Sequence, residues 1–108
     1  MARSITLQIS QALKYLHAHS IIHRDIKLEN IMLTSRKTNC GAKLADFGLA
    51  ETVKNASVTG GSKAGTVGYV APEISEGTPY GISSDIWSLG CLLYAMLTAT
   101  LPFPTLKK

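Results

Sequence analysis

"IIHRDIKLEN", residues 21–30, is the stretch on which the reading of this 108-residue chain turns. Six of its ten side chains ionise or hydrogen-bond: His23, Arg24, Asp25, Lys27, Glu29 and Asn30. Apolar runs frame it on both sides. A solvated turn would draw on Gly, Pro, Asn and Ser. A surface helix would spread its charges along one face. The stretch follows neither pattern, so it reads as a site hung on core through Ile21, Ile22, Ile31 and Leu33.

Composition narrows the classes. With 45% hydrophobic residues, 17% charged residues and no low-complexity run, the chain is globular rather than disordered. The net charge is +4, but the cations are scattered, and only Arg36–Lys37 and Lys107–Lys108 are adjacent. Nucleic-acid binding needs a denser patch, so no nucleic-acid partner is expected. Cys40 and Cys91 form no C-x-x-C pair, which argues against a zinc site and a disulfide scaffold. That usage fits a reducing, intracellular compartment, in the first instance the cytoplasm.

The start, "MARSITLQIS", holds no long apolar run, so no signal peptide is expected. The stretch from Ile86 to Leu106 carries no charge and is long enough to span a bilayer. Pro102 and Pro104 cut the helical part short, and Ser88, Gly90, Thr98 and Thr100 dilute it, so no membrane partner is expected.

Around the charged stretch, periodicity predicts a helix over 4–19. Its apolar face is Ile5, Ile9, Ala12, Leu13 and Leu16, and Ser4 is the expected cap. "IMLT" (31–34) and "AKLA" (42–45) flank a polar, Gly-containing link and predict a two-stranded ribbon. From Asp46 to about Gly68 the chain is rich in Gly, Ser and Thr with little periodicity. A loop that long within a compact domain is usually functional or mobile.

"SSDIWSLGCLLYAMLT" then predicts a helix capped by Ser83 or Ser84, with Asp85 at the positive end of its dipole. From Ile86 to Leu97 it is apolar nearly all round, which predicts burial on every side and a core position for Trp87. The rest of the chain offers too few elements to surround such a helix. The chain therefore reads as part of something larger.

The charged stretch gains meaning with its neighbours. His23-Arg24-Asp25 is followed by Lys27 and Asn30, and Asp46-Phe47-Gly48 comes a short way beyond. "GTVGYVAPE" (65–73) and Asp85-Ile86-Trp87-Ser88-Leu89-Gly90 follow. Singly, each has a plain alternative. His19 and His23 could be a zinc pair, Asp85 a helix cap, and Arg24–Asp25 a surface ion pair. In this order and spacing the set matches H-R-D-x-x-x-x-N, D-F-G and A-P-E. From about Ser4 to Phe103 the sequence resembles a eukaryotic protein kinase catalytic domain of the serine/threonine type, and specifically its C-terminal lobe.

The resemblance implies an α+β, protein-kinase-like fold, mainly helical, with a short two-stranded ribbon and no N-terminal lobe. It divides this partial kinase domain, residues 1–108, into a catalytic loop (23–30), an activation segment (46–73) and a buried helix (about 84–97). It implies ATP and magnesium (Mg2+) as cofactors and a protein substrate with a Ser or Thr acceptor. Phosphoryl transfer asks the protein for positioning and charge neutralisation. Asp25 would orient the substrate hydroxyl, Lys27 would steady the transferred phosphate, and Thr66 would meet both near the acceptor. Asn30 and Asp46 would hold magnesium, a hard cation that takes oxygen ligands, and with Lys27 would bind the nucleotide. Lys27 together with Thr66 is the serine/threonine pattern. Phe47 would pack under His23, and Asp85 would hold the catalytic loop.

The regulatory phosphate is expected on Ser62, with Thr59 as runner-up, and Arg24 would receive it. Leu28 and Val67 stand where many relatives have Pro, without loss of a chemical group. The subfamily stays open between calcium/calmodulin-kinase-like and Polo-like groups.

These residues include no G-x-G-x-x-G loop, no V-A-I-K lysine and no arginine partner for Glu73. By itself the chain is expected to be inactive, and to self-associate through Leu92, Leu93, Tyr94, Met96 and Leu97. A non-catalytic kinase-like module that binds another protein is the alternative.

Overall fold

A computed structural model describes residues 2–35, 41–52, 66, 68–75 and 81–102. Ser62, Thr59 and Cys40 lie outside the described residues, as does most of the segment between β4 and α2.

Helix α1 spans Ala2–Ala18 and buries Ile5, Ile9 and Leu13, one residue per turn along a single stripe. Burying each such side chain contributes about 1.5–3 kcal/mol. Ala12 and Leu16 sit at the edge of that stripe, half-buried. Ser4 is not the cap, because the helix is already under way at Ala2. Its hydroxyl accepts a hydrogen bond from Gln8 Nε2 at 3.2 Å instead.

Among the described residues, four short strands form two antiparallel pairs. β2 (Ile31–Leu33) pairs with β3 (Ala42–Leu44) in the register Ile31↔Leu44, Met32↔Lys43, Leu33↔Ala42, which is the ribbon the sequence predicts. Gln8 Oε1 of α1 accepts the Ala42 N–H at 2.8 Å and ties that ribbon to the helix. The second pair has no counterpart in the sequence pattern. β1 (Ile21–Ile22) meets β4 (Glu51–Thr52) as Ile21↔Thr52 and Ile22↔Glu51. β4 lies inside the stretch that lacks periodicity, and two residues are too few to show any. Of the four apolar residues expected to anchor the charged stretch, Ile22 is fully buried and Ile21 and Ile31 are half-buried. Leu33 is 42% exposed, although it shares a face of β2 with Ile31.

Helix α3 spans Ile82–Thr98, after the short helix α2 (Pro72–Ser75). It begins behind Gly81 with no side-chain cap, so neither Ser83 nor Ser84 caps it. Nor is it enclosed on all sides. Ser84, Asp85, Ser88, Leu89, Cys91 and Leu92 are buried against the core that α1 supplies. Ile86, Tyr94 and Leu97 are exposed, and Trp87, expected in the core, is 37% exposed. Leu92, expected to be uncovered, is fully buried. The apolar pattern gives no direction to this helix. Its three buried polar residues do.

Candidate active site

The buried polar face of α3 holds the segments that carry the candidate site residues. Asp85 Oδ2 accepts the His23 N–H at 2.8 Å and Oδ1 accepts the Arg24 N–H at 3.0 Å. His17 Nε2, from the last turn of α1, donates to Oδ2 at 2.9 Å. One buried carboxylate thus joins α1, α3 and the start of the charged stretch. Ser88 Oγ donates to the Tyr69 carbonyl at 2.7 Å, and Ser84 Oγ to Glu73 Oε2 at 3.0 Å. Three residues of one helix each fix a different segment.

His23 is fully buried. Its Nδ1 accepts the Asp25 N–H at 3.1 Å, so the ring proton sits on Nε2, which donates to the Ala45 carbonyl at 2.9 Å. The imidazole therefore links the charged stretch to the residue just before Asp46. Phe47 packs edge-on against it with ring centroids 5.0 Å apart, while staying 47% exposed.

Asp25 stands at the centre of a four-residue cluster. Its Oδ1 accepts the Thr66 hydroxyl at 2.8 Å. Thr66 Oγ1 in turn accepts from Lys27 Nζ at 2.9 Å, and that ammonium lies 3.8 Å from Asp25 Oδ2. Asn30 Nδ2 donates to the Asp25 carbonyl at 2.7 Å and to Oδ2 at 3.2 Å. The turn Leu28–Asn30 carries Asn30 back under Asp25. Across 41 residues of chain, Thr66 is brought to the carboxylate by a turn in which the Tyr69 and Val70 N–H groups bond to the Thr66 carbonyl. Gly68, at φ 97°, makes that turn possible.

Asp46 lies one residue past the Ala45 N–H to Asn30 carbonyl bond of 2.8 Å that extends the β2–β3 ladder. The register therefore brings Asn30 and Asp46 to the same end of the ribbon. Asp46 is exposed, adopts φ 56°, and accepts the Gly48 N–H at 3.2 Å. With both amide hydrogens of Asn30 engaged, its Oδ1 is the atom left to offer a cation. An amide oxygen and a carboxylate brought to one end of a ribbon are hard-oxygen donors of the kind magnesium takes. Among the described residues no group of three or more His, Cys, Asp or Glu is placed to hold a metal ion.

Arg24 adopts φ 71°. Its Nε donates to the Leu49 carbonyl at 2.7 Å and its guanidinium pairs with Glu51 at 3.2 Å. Sequence reasoning missed Glu51, His17, Ser84 and Ser88. A signal existed for His17, because the buried series 5, 9, 13 continues at 17.

Burial pushes the Tyr69 phenol above its ordinary value, against a backbone hydrogen bond with Leu28 that works in the opposite sense. Burial likewise raises the Cys91 thiol.

The family model described as protein kinase domain matches residues 1–108. The serine/threonine-protein kinase PLK4 of Danio rerio is 44% identical over 96% of this chain, a stretch that is 11% of that relative. The PLK4 of Nematostella vectensis is 44% identical over 95% of the chain and 10% of its own length. That of Drosophila melanogaster is 43% identical over 96% and 13%. The chain belongs to the protein kinase domain family. It spans about a tenth of the length of these relatives. Among the described residues no helix is long and apolar enough to cross a membrane.

Proposed function

We propose that this chain is the catalytic-loop portion, in the C-terminal lobe, of an intracellular protein kinase that transfers the ATP γ-phosphate to Ser or Thr of a protein. The observation that carries the reading is the Thr66 hydroxyl placed between Asp25 and Lys27, at 2.8 and 2.9 Å. A carboxylate and an ammonium that share one hydroxyl mark the place where an acceptor hydroxyl can be oriented and the moving phosphoryl charge met. Asp25 orients the acceptor hydroxyl, Lys27 offers the positive charge, and Thr66 keeps the two apart. Asn30 Oδ1 and Asp46 would hold magnesium, which would neutralise charge on the ATP phosphates. The relatives' description as serine/threonine kinases supports the acceptor class.

The test is transfer from ATP to Ser, Thr and Tyr peptides by the full-length protein. Asp25→Asn should lower kcat about 10²- to 10⁴-fold, the scale of a lost acid–base group. Unchanged turnover, or a preference for Tyr, would refute the proposal. The 108 residues by themselves should bind Mg-ATP weakly and transfer nothing, because they contain no glycine-rich phosphate loop. Micromolar affinity by calorimetry would contradict this. In the regulated protein, a phosphate on Ser62, or failing that Thr59, is received by Arg24.

A second reading, a module that binds another protein, draws on the outer side of α3. Ile86, Trp87, Tyr94 and Pro102 line a groove of about 570 Å³ there. In the isolated chain this face should drive self-association, and a clean monomer by light scattering would argue against it.

A further inference from the structure

Resting on the kinase reading, we propose that Glu51 is a positioning residue for Asp25. Within the unmodified chain it supplies the anion that holds Arg24, the place a phosphate would otherwise take.

Arg24 precedes Asp25 directly, and at φ 71° it lies in the left-handed region that a residue with a Cβ avoids. Such a backbone persists only where its surroundings over-determine it. Asp85 fixes the Arg24 N–H. The side chain is fixed from the opposite direction, by the Leu49 carbonyl at 2.7 Å and by Glu51 at 3.2 Å. The β1–β4 ladder sets this up. Ile22 pairs with Glu51, so the guanidinium two residues beyond Ile22 reaches back onto β4.

The arginine side chain is 10% exposed and that of Glu51 32%. A guanidinium that buried needs a counter-charge. Glu51 provides it from a strand already paired to the loop, with no modification required. An incoming phosphate would meet a carboxylate on the same guanidinium. It therefore replaces an existing anion and does not create order from none.

The experiment uses the full-length protein after phosphatase treatment, as wild type, Glu51→Gln and Glu51→Asp. Glu51→Gln should lower kcat about tenfold with little change in KM for ATP, and Glu51→Asp should keep most of the activity. Phosphorylation should restore the Gln protein several-fold more than it activates wild type. Amide hydrogen exchange over residues 22–26 should quicken about tenfold in the Gln protein. That readout does not depend on catalysis, so it decides the proposal even if the wild type transfers no phosphate and the kinase reading falls. Exchange equal to wild type, or an equal gain from phosphorylation in both proteins, would overturn the proposal.

Discussion

The carboxylate of Asp85 accepts the backbone N–H of His23 at 2.8 Å across 62 residues of chain. With the Arg24 N–H and the His17 ring on the same group, three donors converge on one fully buried acceptor. Removing it strands all three. Each buried donor left unpaired costs roughly 1–3 kcal/mol. Asp85→Ala should therefore destabilise the protein by about 3–5 kcal/mol, the scale of breaking a buried charged network. Asp85→Asn keeps one acceptor oxygen but turns an NH₂ group toward a donor, so about 1–3 kcal/mol is expected. Urea denaturation of the three proteins gives the ranking.

Cys91 and Tyr69 predict an alkaline limit. Burial raises both above their ordinary values of 9.0 and 10.0. Between the unfolded and folded values the native state holds protons that the unfolded state has released. The stability this represents is intact below about pH 9 and is lost as pH rises further. The transition temperature should fall above that pH, and Cys91→Ala should move the onset upward. At about pH 7.5 a thiol reagent should label Cys91 only in denaturant, read by peptide mass spectrometry.

What the sequence made legible, and what it did not, divides along physical lines. α1 was legible because burial of one face sets its apolar period, and the β2–β3 ribbon because two short apolar runs flank a polar, Gly-containing link. His23, Asp25, Lys27, Asn30, Asp46 and Thr66 could be singled out because the signatures they match restrict residue types at those positions, and the structure brings Asp25, Lys27, Asn30 and Thr66 into one cluster. The orientation of α3 was not legible, since an apolar residue at nearly every position fits any rotation. Ser84 looked like a helix cap and Ser88 like dilution of a hydrophobic helix, yet they hold Glu73 and Tyr69. A hydroxyl's long-range partner leaves no periodic trace. Glu51 was invisible for the same reason, because its strand is only two residues long and its partner, Arg24, belongs to a distant loop.

Ala99 ends α3 at φ 61°, with its N–H bonded to the Ala95 carbonyl at 2.8 Å. This is the helix-terminating position where glycine is favoured, since a Cβ there is strained. Ala99→Gly should stabilise the protein by about 0.5–1 kcal/mol, although glycine's greater freedom in the unfolded chain offsets part of the gain. Chemical denaturation measures it. A loss of stability would mean that the helix does not end here.

Thr66 carries the last prediction. Its hydroxyl donates to Asp25 and accepts from Lys27, so it fixes both side chains without being a base or a charge. In Thr66→Ala the ammonium, already 3.8 Å from Asp25 Oδ2, is free to close onto the carboxylate. On the proposed kinase reading, a tight Asp25–Lys27 pair would occupy the oxygen that orients the acceptor and draw the cation from the phosphate. A misplacement of about 1 Å in such a site costs on the order of 10²-fold. Thr66→Ala should therefore lower kcat by about that factor in the full-length protein. Thr66→Ser retains the hydroxyl and should recover all but a few-fold, the remainder reflecting the freer rotation of a side chain without the branching methyl. Folding should be nearly unaffected in both, because Thr66 is only half-buried and its carbonyl, not its side chain, holds the turn to Tyr69 and Val70. A Ser variant as impaired as the Ala variant would mean that the methyl matters, and that the hydroxyl bridge is not what positions Asp25.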